Sequence, residues 1–330
     1  MLKSKIRQIF NSCKDNNIVL IAWIIFIIFT VGFWHFQQYL IESHFNPCKT
    51  PVFILLGFLI IVCLLPYVIY KKFKISIHYL SLIFYPSIAF MAIIAQDDFN
   101  YICAITTILF SIIFVVFIVR QPKLHTQPLI SNLYIAICLL LYCYIASNTN
   151  ELTHYKYKIN HYIEANKYDK ALNVGKSSLN INSEVFNLRT KAMLLNNSLG
   201  NNLFLYPIAK GTDSIKVDYN LDTHRKQDAI LCNLLLQKNL PAFANLISKT
   251  YDIKSPNLPK YYKEALVLYL AKTIDTDLNY HSTTIETNYN DFITEMKKYS
   301  NINVRSNACR DLYSDTYFWY YFFSNSNSEI

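Results

Sequence analysis

The sequence predicts an all-α protein in which a bundle of five membrane-spanning helices is followed by a soluble domain of helical hairpins. Five long apolar segments without Lys, Arg, Asp or Glu fill residues 1–146. The composition changes at Ala146, because four acidic residues precede that point and 18 follow it. Apolar side chains then recur at helical spacing between short polar breaks. We therefore predict two domains, residues 1–146 and residues 147–330.

Each of the five apolar segments is close to the length that a helix needs to cross the hydrocarbon of a bilayer, about 20 residues. Pro66 and Pro86 lie inside such segments, where a helical bundle tolerates them because neighbouring groups satisfy the freed backbone. The predicted spans are residues 18–34, 51–70, 75–95, 101–119 and 128–146.

The basic residues between the spans predict the orientation. Nine of the bases in residues 1–146 lie before the first span, after the second or after the fourth, whereas the alternate segments hold only Lys49. Cytoplasmic loops carry the excess of Lys and Arg, so the N-terminus is predicted to be cytoplasmic. An odd number of spans then places residues 147–330 outside the cytoplasm. For a bacterial protein this means a multi-pass inner-membrane protein with a periplasmic C-terminal domain.

The C-terminal domain is predicted to consist of helices joined by short turns. Gly200 is interpreted as the residue that ends one of these helices, since glycine is favoured just beyond a helix C-terminus. Residues 205–225 lack helical periodicity and are predicted to form a long loop. The predicted helices cover residues 151–166, a stretch ending near 180, and residues 184–199, 227–237, 241–249, 259–273, 288–299 and 305–323.

Short motifs in the tail carry two resemblances. The polar turn and aromatic residue at 166–172, with Ala171 three residues after Tyr168, resemble the middle of a tetratricopeptide repeat. Residues 258–269 and 315–321 resemble segments of an uncharacterised bacterial membrane-protein family that joins spanning helices to a tetratricopeptide-like C-terminal region. This resemblance implies the same architecture for the present chain. It implies no activity, cofactor or site residue.

Several function classes are disfavoured by what the chain contains. The net charge of +9 is concentrated between the spans, where topology requires it, so nucleic acid is not a predicted partner. The five glycines are too scattered to build a phosphate-binding loop, and no nucleophile elbow or zinc-protease helix occurs. We therefore predict no cofactor and no metal. The mid-span positions carry no acidic or basic residue, which disfavours a self-contained transporter.

Seven consecutive aromatic residues, Tyr317–Phe323, are the most informative feature of the tail. On a helix such a run points in every direction, so three roles remain open: internal packing, contact with a membrane surface and contact with a protein partner. The residues predicted to dock a partner or a membrane are Tyr317, Trp319, Tyr320 and Tyr321. The residues predicted to form a repeat-like face are Tyr155, Tyr162 and Tyr168.

The functional hypothesis is a membrane-anchored scaffold whose partners are the lipid bilayer and an envelope protein. One alternative is an envelope enzyme that acts on a lipid-linked substrate, with Asp97 and Asp98 at its site. Another is an accessory subunit of a transport or secretion complex. A disulfide between Cys232 and Cys309 is left open by the sequence, because geometry decides such pairings.

Overall fold

The computed structural model describes residues 2–44, 51–73, 77–97, 128–209, 214–216, 221–273 and 278–324, together with residues 105, 109 and 113. Within these ranges every regular element is a helix, which confirms the predicted all-α fold class. The chain divides into two compact units, Met1–Tyr157 and Lys158–Ile330. We call them the first unit and the second unit.

Three stretches of the first unit are long and apolar enough to cross a membrane: Asn17–His44, Ile77–Ile94 and Pro128–Ala146. They correspond to the predicted spans 18–34, 75–95 and 128–146. The predicted span 51–70 is helical, whereas the predicted span 101–119 lies outside the described residues except for three positions. The five-helix bundle therefore stays a prediction beyond these three helices. The helical segments of this unit are α1 (Leu2–His44), α2 (Pro51–Phe73), the 3-10 helix Ile77–Phe84, α3 (Tyr85–Ile94) and α4 (Pro128–Ala146).

Helix α4 is buried on one side and exposes apolar side chains on the other. Its Ala136, Leu139 and Cys143 are buried in the core of the first unit. In contrast, Tyr134 and Ile145 on the same helix are 70% and 79% exposed. A water-soluble protein rarely leaves so much contiguous apolar surface uncovered, and lipid hydrocarbon removes the penalty. This pattern is that of a membrane protein.

An asparagine side chain forms hydrogen bonds with backbone groups of the stretch Ile77–Ile94 where this stretch is not α-helical. Pro86 has no N–H, and the residues before it form the 3-10 helix Ile77–Phe84. Asn132 of α4 accepts a hydrogen bond from the Ser81 N–H at 2.7 Å and donates one to the Ile77 carbonyl at 2.6 Å. Because hydrocarbon offers no hydrogen bonds, this side chain fastens α4 to the irregular segment.

The remaining helices are shorter and more polar. They are α5 (Glu151–Glu164), α6 (Tyr168–Asn173), α7 (Ser183–Leu195), α8 (Leu199–Asn202), the 3-10 turn Leu203–Leu205, α9 (Thr223–Leu236), α10 (Leu240–Thr250), α11 (Lys260–Lys272), α12 (Thr283–Lys297), α13 (Ile302–Tyr313) and α14 (Tyr317–Phe323). The division between the two units falls within α5.

Three helix pairs, α5–α6, α7–α8 and α9–α10, are joined by the same kind of turn. Each turn contains one residue with a left-handed backbone: Asn166 at φ 54°, Asn197 at φ 52° and Lys238 at φ 57°. The N–H of the following residue donates to a carbonyl in the last turn of the preceding helix at 2.8, 2.9 and 2.9 Å, respectively. This is the Schellman closure, which satisfies carbonyls that a helix end leaves unpaired.

The predicted final helix, residues 305–323, is wrong as a single element. Helix α13 ends at Tyr313 and α14 begins at Tyr317. Thr316 separates them, because its hydroxyl accepts a hydrogen bond from the Trp319 N–H at 3.2 Å and donates one to the Tyr313 carbonyl at 2.7 Å. A threonine in this capping role starts a new helix and redirects the chain.

The interpretation of Gly200 as a helix-ending residue is also wrong. Helix α7 ends at Leu195, and Asn197 takes the left-handed conformation instead. Gly200 lies inside α8, where a Cβ atom would be 2.7 Å from the Pro259 Cβ and 3.0 Å from the Tyr262 Cζ. The glycine therefore allows α8 to approach the start of α11 closely.

This close approach predicts that Gly200→Ala destabilises the second unit. The added methyl group collides with a proline ring that cannot move aside, so we expect the free energy of unfolding to fall by about 1–3 kcal/mol. The measurement is urea unfolding of the purified full chain in detergent, followed by circular dichroism. Gly57→Ala is the matched control, since a Cβ there meets nothing within 4 Å. Equal stability of the two variants would contradict the close approach.

Candidate docking surface

Two side chains hold α14, the aromatic helix, in place: one directly precedes it in the chain and the other belongs to α11. Thr316 caps α14, as described above, and the Glu264 carboxylate of α11 accepts a hydrogen bond from the Tyr317 N–H at 2.7 Å. A carboxylate at a helix N-terminus is favourable, because the first N–H groups have no partner within the helix. The side chain of Glu264 thus links α11, most of whose residues from Tyr261 to Tyr269 are buried, to the aromatic segment.

Three of the seven aromatic residues belong to the interior of the second unit. Tyr317, Phe318 and Phe323 are at most 1% exposed. The Tyr317 hydroxyl donates to the Leu235 carbonyl at 3.2 Å, and the Phe318 ring lies 5.1 Å from that of Tyr289. Tyr317 was predicted to dock a partner, but in this fold its side chain is inaccessible. Its ring fills the core instead.

The other four aromatic residues, Trp319 to Phe322, are half-buried. Two of them also bond within the unit: the Trp319 indole N–H donates to the Ser306 carbonyl at 3.3 Å, and the Tyr320 hydroxyl donates to the Leu236 carbonyl at 2.9 Å. These bonds fix the ring orientations and leave part of each ring at the surface. The docking role predicted for Trp319, Tyr320 and Tyr321 stays a prediction, now with defined geometry.

Two lysines stand against the accessible rings. The Lys272 ammonium lies 4.4 Å from the Tyr321 ring centroid and donates a hydrogen bond to the Tyr321 hydroxyl at 3.2 Å. The Lys238 ammonium lies 5.7 Å from the Tyr320 centroid and 5.8 Å from the Tyr321 centroid. Such cation–π contacts orient the lysines without neutralising them. We call Tyr320, Tyr321, Phe322, Lys238 and Lys272 the aromatic–lysine patch.

Lys238 occupies an unusual backbone position. The two other Schellman turns place asparagine at the left-handed position, where a short polar side chain is tolerated, whereas this turn places lysine there. Partial burial lowers the pKa of its ammonium. The lysine is therefore held with both a strained backbone and a partly desolvated charge. Backbone strain of this kind is a reason to look for a function.

Glu264 is a buried acid under the aromatic helix. Its side chain is almost inaccessible, and burial raises the pKa of its carboxyl to about 7 against the opposing effects of the Tyr317 N–H and Lys260. The Lys260 ammonium is 3.9 Å from the carboxylate of Glu264 but 2.9 Å from that of Asp315. Lys260 is therefore shared, and it bonds mainly to Asp315.

A second buried acid, Asp228 of α9, bonds to the tyrosine that directly follows α10 and to a tyrosine of α11. Its Oδ1 accepts hydrogen bonds from the Tyr251 hydroxyl at 2.5 Å and the Tyr262 hydroxyl at 2.8 Å. Burial raises the pKa of both tyrosines.

The disulfide between Cys232 and Cys309 that the sequence left open is not formed, because both residues are free thiols. Cys232 packs against the Tyr262 hydroxyl at 3.6 Å.

The residues predicted to form the repeat-like face are all half-buried. Tyr155 belongs to the first unit, where its hydroxyl donates to Glu151. In the second unit, Tyr162 packs its ring edge-on to His161 at 5.7 Å, and the Tyr168 hydroxyl donates to Asn166 at 2.8 Å. The Tyr168 bond reaches the left-handed residue of the first Schellman turn. Whether these rings bind a partner stays a prediction.

Asp97, which the enzyme alternative places at a catalytic site, has a bonded partner within the first unit. Its carboxylate accepts a hydrogen bond from the Tyr157 hydroxyl at 2.6 Å. Asp98 lies outside the described residues. Within the described parts of the chain, His, Cys, Asp and Glu form no cluster of three or more that could hold a metal ion. The role of this acidic pair stays a prediction.

Sequence reasoning did not single out Glu264, Lys238 or Lys272. The available signal for Glu264 was its place beside Lys263 in a helical stretch, Tyr261 to Tyr269, that is otherwise apolar or aromatic. The two lysines carry no signal of their own, because their approach to Tyr321 depends on how α9, α11 and α14 pack. The sequence therefore indicated the aromatic residues of the patch but not its two lysines.

Comparison with known proteins finds a family over part of the chain. Residues 212–324 match the model of a family of unknown function (DUF6057). No curated protein and no solved structure matches the chain. The matched stretch includes the aromatic–lysine patch and Glu264 but leaves the first unit and α5 to α8 outside. It confirms the resemblance to a family of unknown function over these residues and adds no activity.

Proposed function

We propose that the chain is a membrane-anchored interaction protein, with multiple spans in a bacterial inner membrane and a helical domain in the periplasm that binds another envelope protein. The observation that carries this proposal is the threefold repetition of one hairpin closure. In each case the residue two positions after the left-handed one begins the next helix: Tyr168, Leu199 and Leu240. The mechanism is binding without covalent chemistry.

The repeated closure supports a tetratricopeptide-like array. Hairpins that close alike can stack side by side, and stacked hairpins build an extended face on which a peptide or protein binds. The first closure also matches the repeat in its residues, since Tyr168 is followed by Ala171, which is fully buried. Tyr162 and Tyr168 flank this closure and are the predicted contact residues of the second unit.

The anchoring part of the proposal rests on the three apolar stretches of the first unit and on charge. Nine bases lie in the segments assigned to the cytoplasm and one in the alternate segments. A bias of this size is the usual determinant of orientation. With five spans, it assigns the second unit to the periplasmic side.

Crosslinking in cells tests the proposed function. Tyr162 or Tyr168 is replaced by the photoreactive benzoylphenylalanine in the full chain, and the products formed on irradiation are identified by mass spectrometry. The control position is Asp311, which is exposed on α13, outside the three hairpins. We expect one recurrent envelope protein at both tyrosines and not at the control.

Crosslinks that are absent at both tyrosines, or that equal those at Asp311, would overturn the proposal. If the crosslinked protein is a stoichiometric partner with several membrane spans, the proposed role becomes that of an accessory subunit of a membrane complex. Trp319 is less suitable as a probe of partner binding, because its indole bonds to the Ser306 carbonyl and its loss perturbs packing as well.

A further inference from the structure

We propose that the aromatic–lysine patch, Tyr320, Tyr321 and Phe322 with Lys238 and Lys272, seats the second unit on an anionic lipid surface. The inference goes beyond the proposed function, since it assigns a different surface and a different partner from the hairpin face. It concerns a contact in addition to the membrane-spanning helices.

The first observation is a pair of positive charges for which the described residues supply no ion-paired carboxylate. Both ammonium groups stand close to the Tyr321 ring, at 4.4 Å and 5.8 Å from its centroid. Within the described part of the chain no carboxylate forms an ion pair with either lysine. Two like charges held near one ring repel each other, and an anion beside them relieves that repulsion. The patch is thus complementary to negative charge.

The hydroxyl of Tyr321 adds a directed donor. It accepts the hydrogen bond from Lys272, and a phenol that accepts in this way still has its own proton to donate. A phosphate oxygen near the two ammonium groups can accept that proton. The three groups together match a phosphate, which carries the negative charge in anionic lipids.

The aromatic rings select a membrane surface over a soluble anion. Tyrosine and phenylalanine rings at the edge of a unit enter the boundary between headgroups and acyl chains, while lysine stems cover apolar surface and keep their charge among the phosphates. Lysine acts as a point charge that suits a fluid array of phosphates, whereas fixed planar anions favour arginine. Each lysine near an anionic surface strengthens binding roughly fivefold.

The membrane anchor makes such a small patch sufficient. A surface that binds lipid only weakly from solution stays engaged when its own chain is already tethered to the bilayer, because tethering supplies a high effective concentration. The strain at Lys238 fits this assignment. Asparagine at φ near 57° would close the turn as it does at the two other hairpins, but it would carry no charge to the patch.

Fluorescence of Trp319 tests the proposal on the full chain in lipid nanodiscs. The protein has three tryptophans, so Trp23→Phe and Trp34→Phe leave Trp319, next to the patch, as the sole reporter. The discs contain phosphatidylcholine with a quencher at headgroup depth, with or without added phosphatidylglycerol. We expect several-fold stronger quenching in the anionic discs, and we expect high salt to remove the difference.

The charge variant is Lys238→Asn with Lys272→Gln, in which asparagine keeps the left-handed turn. We expect it to lose most of the lipid-dependent quenching. The matched control, Lys191→Gln with Lys249→Gln, removes two exposed charges elsewhere in the second unit and should quench as the parent does. Equal quenching in neutral and anionic discs, or no difference between the two lysine pairs, would overturn the proposal. A third result would also overturn the proposal. If Trp319 is shielded from a soluble quencher in cell membranes but is not quenched by lipid in discs of either composition, a protein covers the patch instead of lipid.

Discussion

Replacing Tyr317 with alanine is expected to lower the free energy of unfolding of the second unit by about 3–5 kcal/mol, the range for large aromatic side chains in a core. The ring is fully buried, 5.2 Å from that of Phe204, and its hydroxyl bonds to the Leu235 carbonyl at 3.2 Å. Alanine leaves a cavity and removes one of the hydrogen bonds that the Leu235 carbonyl accepts, while the Lys238 N–H still donates to it. Urea unfolding of the full chain in detergent, with circular dichroism as the signal, measures the change.

Tyr317→Phe is the matched control, because it keeps the ring and removes only the hydrogen bond. We expect a loss of about 1 kcal/mol for this variant. A Tyr317→Ala protein that unfolds like the parent but loses its partner would restore the docking role that the sequence predicted for this residue.

Replacing Glu264 with glutamine is expected to change how the stability of the second unit depends on pH. Burial raises the pKa of this carboxyl from 4.5 to about 7. Between these two values the folded state binds a proton that the unfolded state lacks, so stability falls as pH rises through this window. At pH 8 the full penalty is present, up to about 3 kcal/mol. Glutamine cannot ionise, and its oxygen can still accept the Tyr317 N–H.

We therefore expect Glu264→Gln to resemble the parent near pH 4.5, where the glutamate itself is largely protonated in the folded state, and to be more stable by about 2–3 kcal/mol at pH 8. Unfolding midpoints in urea across this range give the comparison. Glu184, which is exposed on α7, supplies the control for loss of a surface carboxylate: Glu184→Gln should not gain stability of this size at pH 8. Parallel curves for Glu264→Gln and the parent would show that this carboxyl ionises in the folded state as freely as in the unfolded chain.

The features that the sequence predicts well are those fixed by long, uniform patterns. Long uncharged apolar runs predict spans at 18–34, 75–95 and 128–146, and the structure has a helical stretch long and apolar enough to cross a membrane at each of these places. Helical periodicity likewise located the cores of most tail helices. The break at Thr316 was missed because the short polar stretch before the aromatic run, Ser314 to Thr316, can also lie on the exposed face of one continuous helix. Whether Thr316 caps a new helix depends on whether the following residues pack against the rest of the second unit.

The outcomes at Gly200 and Tyr317 share a physical cause. A glycine near a helix end can supply a left-handed turn or a close approach, and only packing against Pro259 and Tyr262 decides between them. In the same way a run of seven aromatic residues does not say which rings face inward. The sequence did not indicate a left-handed backbone at Lys238, because asparagine or glycine normally occupies such a position. These outcomes depend on contacts between distant segments.

The central claim, a membrane-anchored chain with its helical domain outside the cytoplasm, is tested most directly by the side on which the second unit lies. With the full chain produced in a Gram-negative host and Cys48 replaced by serine, Asn245→Cys introduces an exposed thiol on α10. Intact spheroplasts are then treated with a membrane-impermeant maleimide. We predict that Asn245→Cys is modified in intact spheroplasts, whereas Cys13, at the predicted cytoplasmic end, reacts only after lysis. Modification of Asn245→Cys only after lysis would contradict the account.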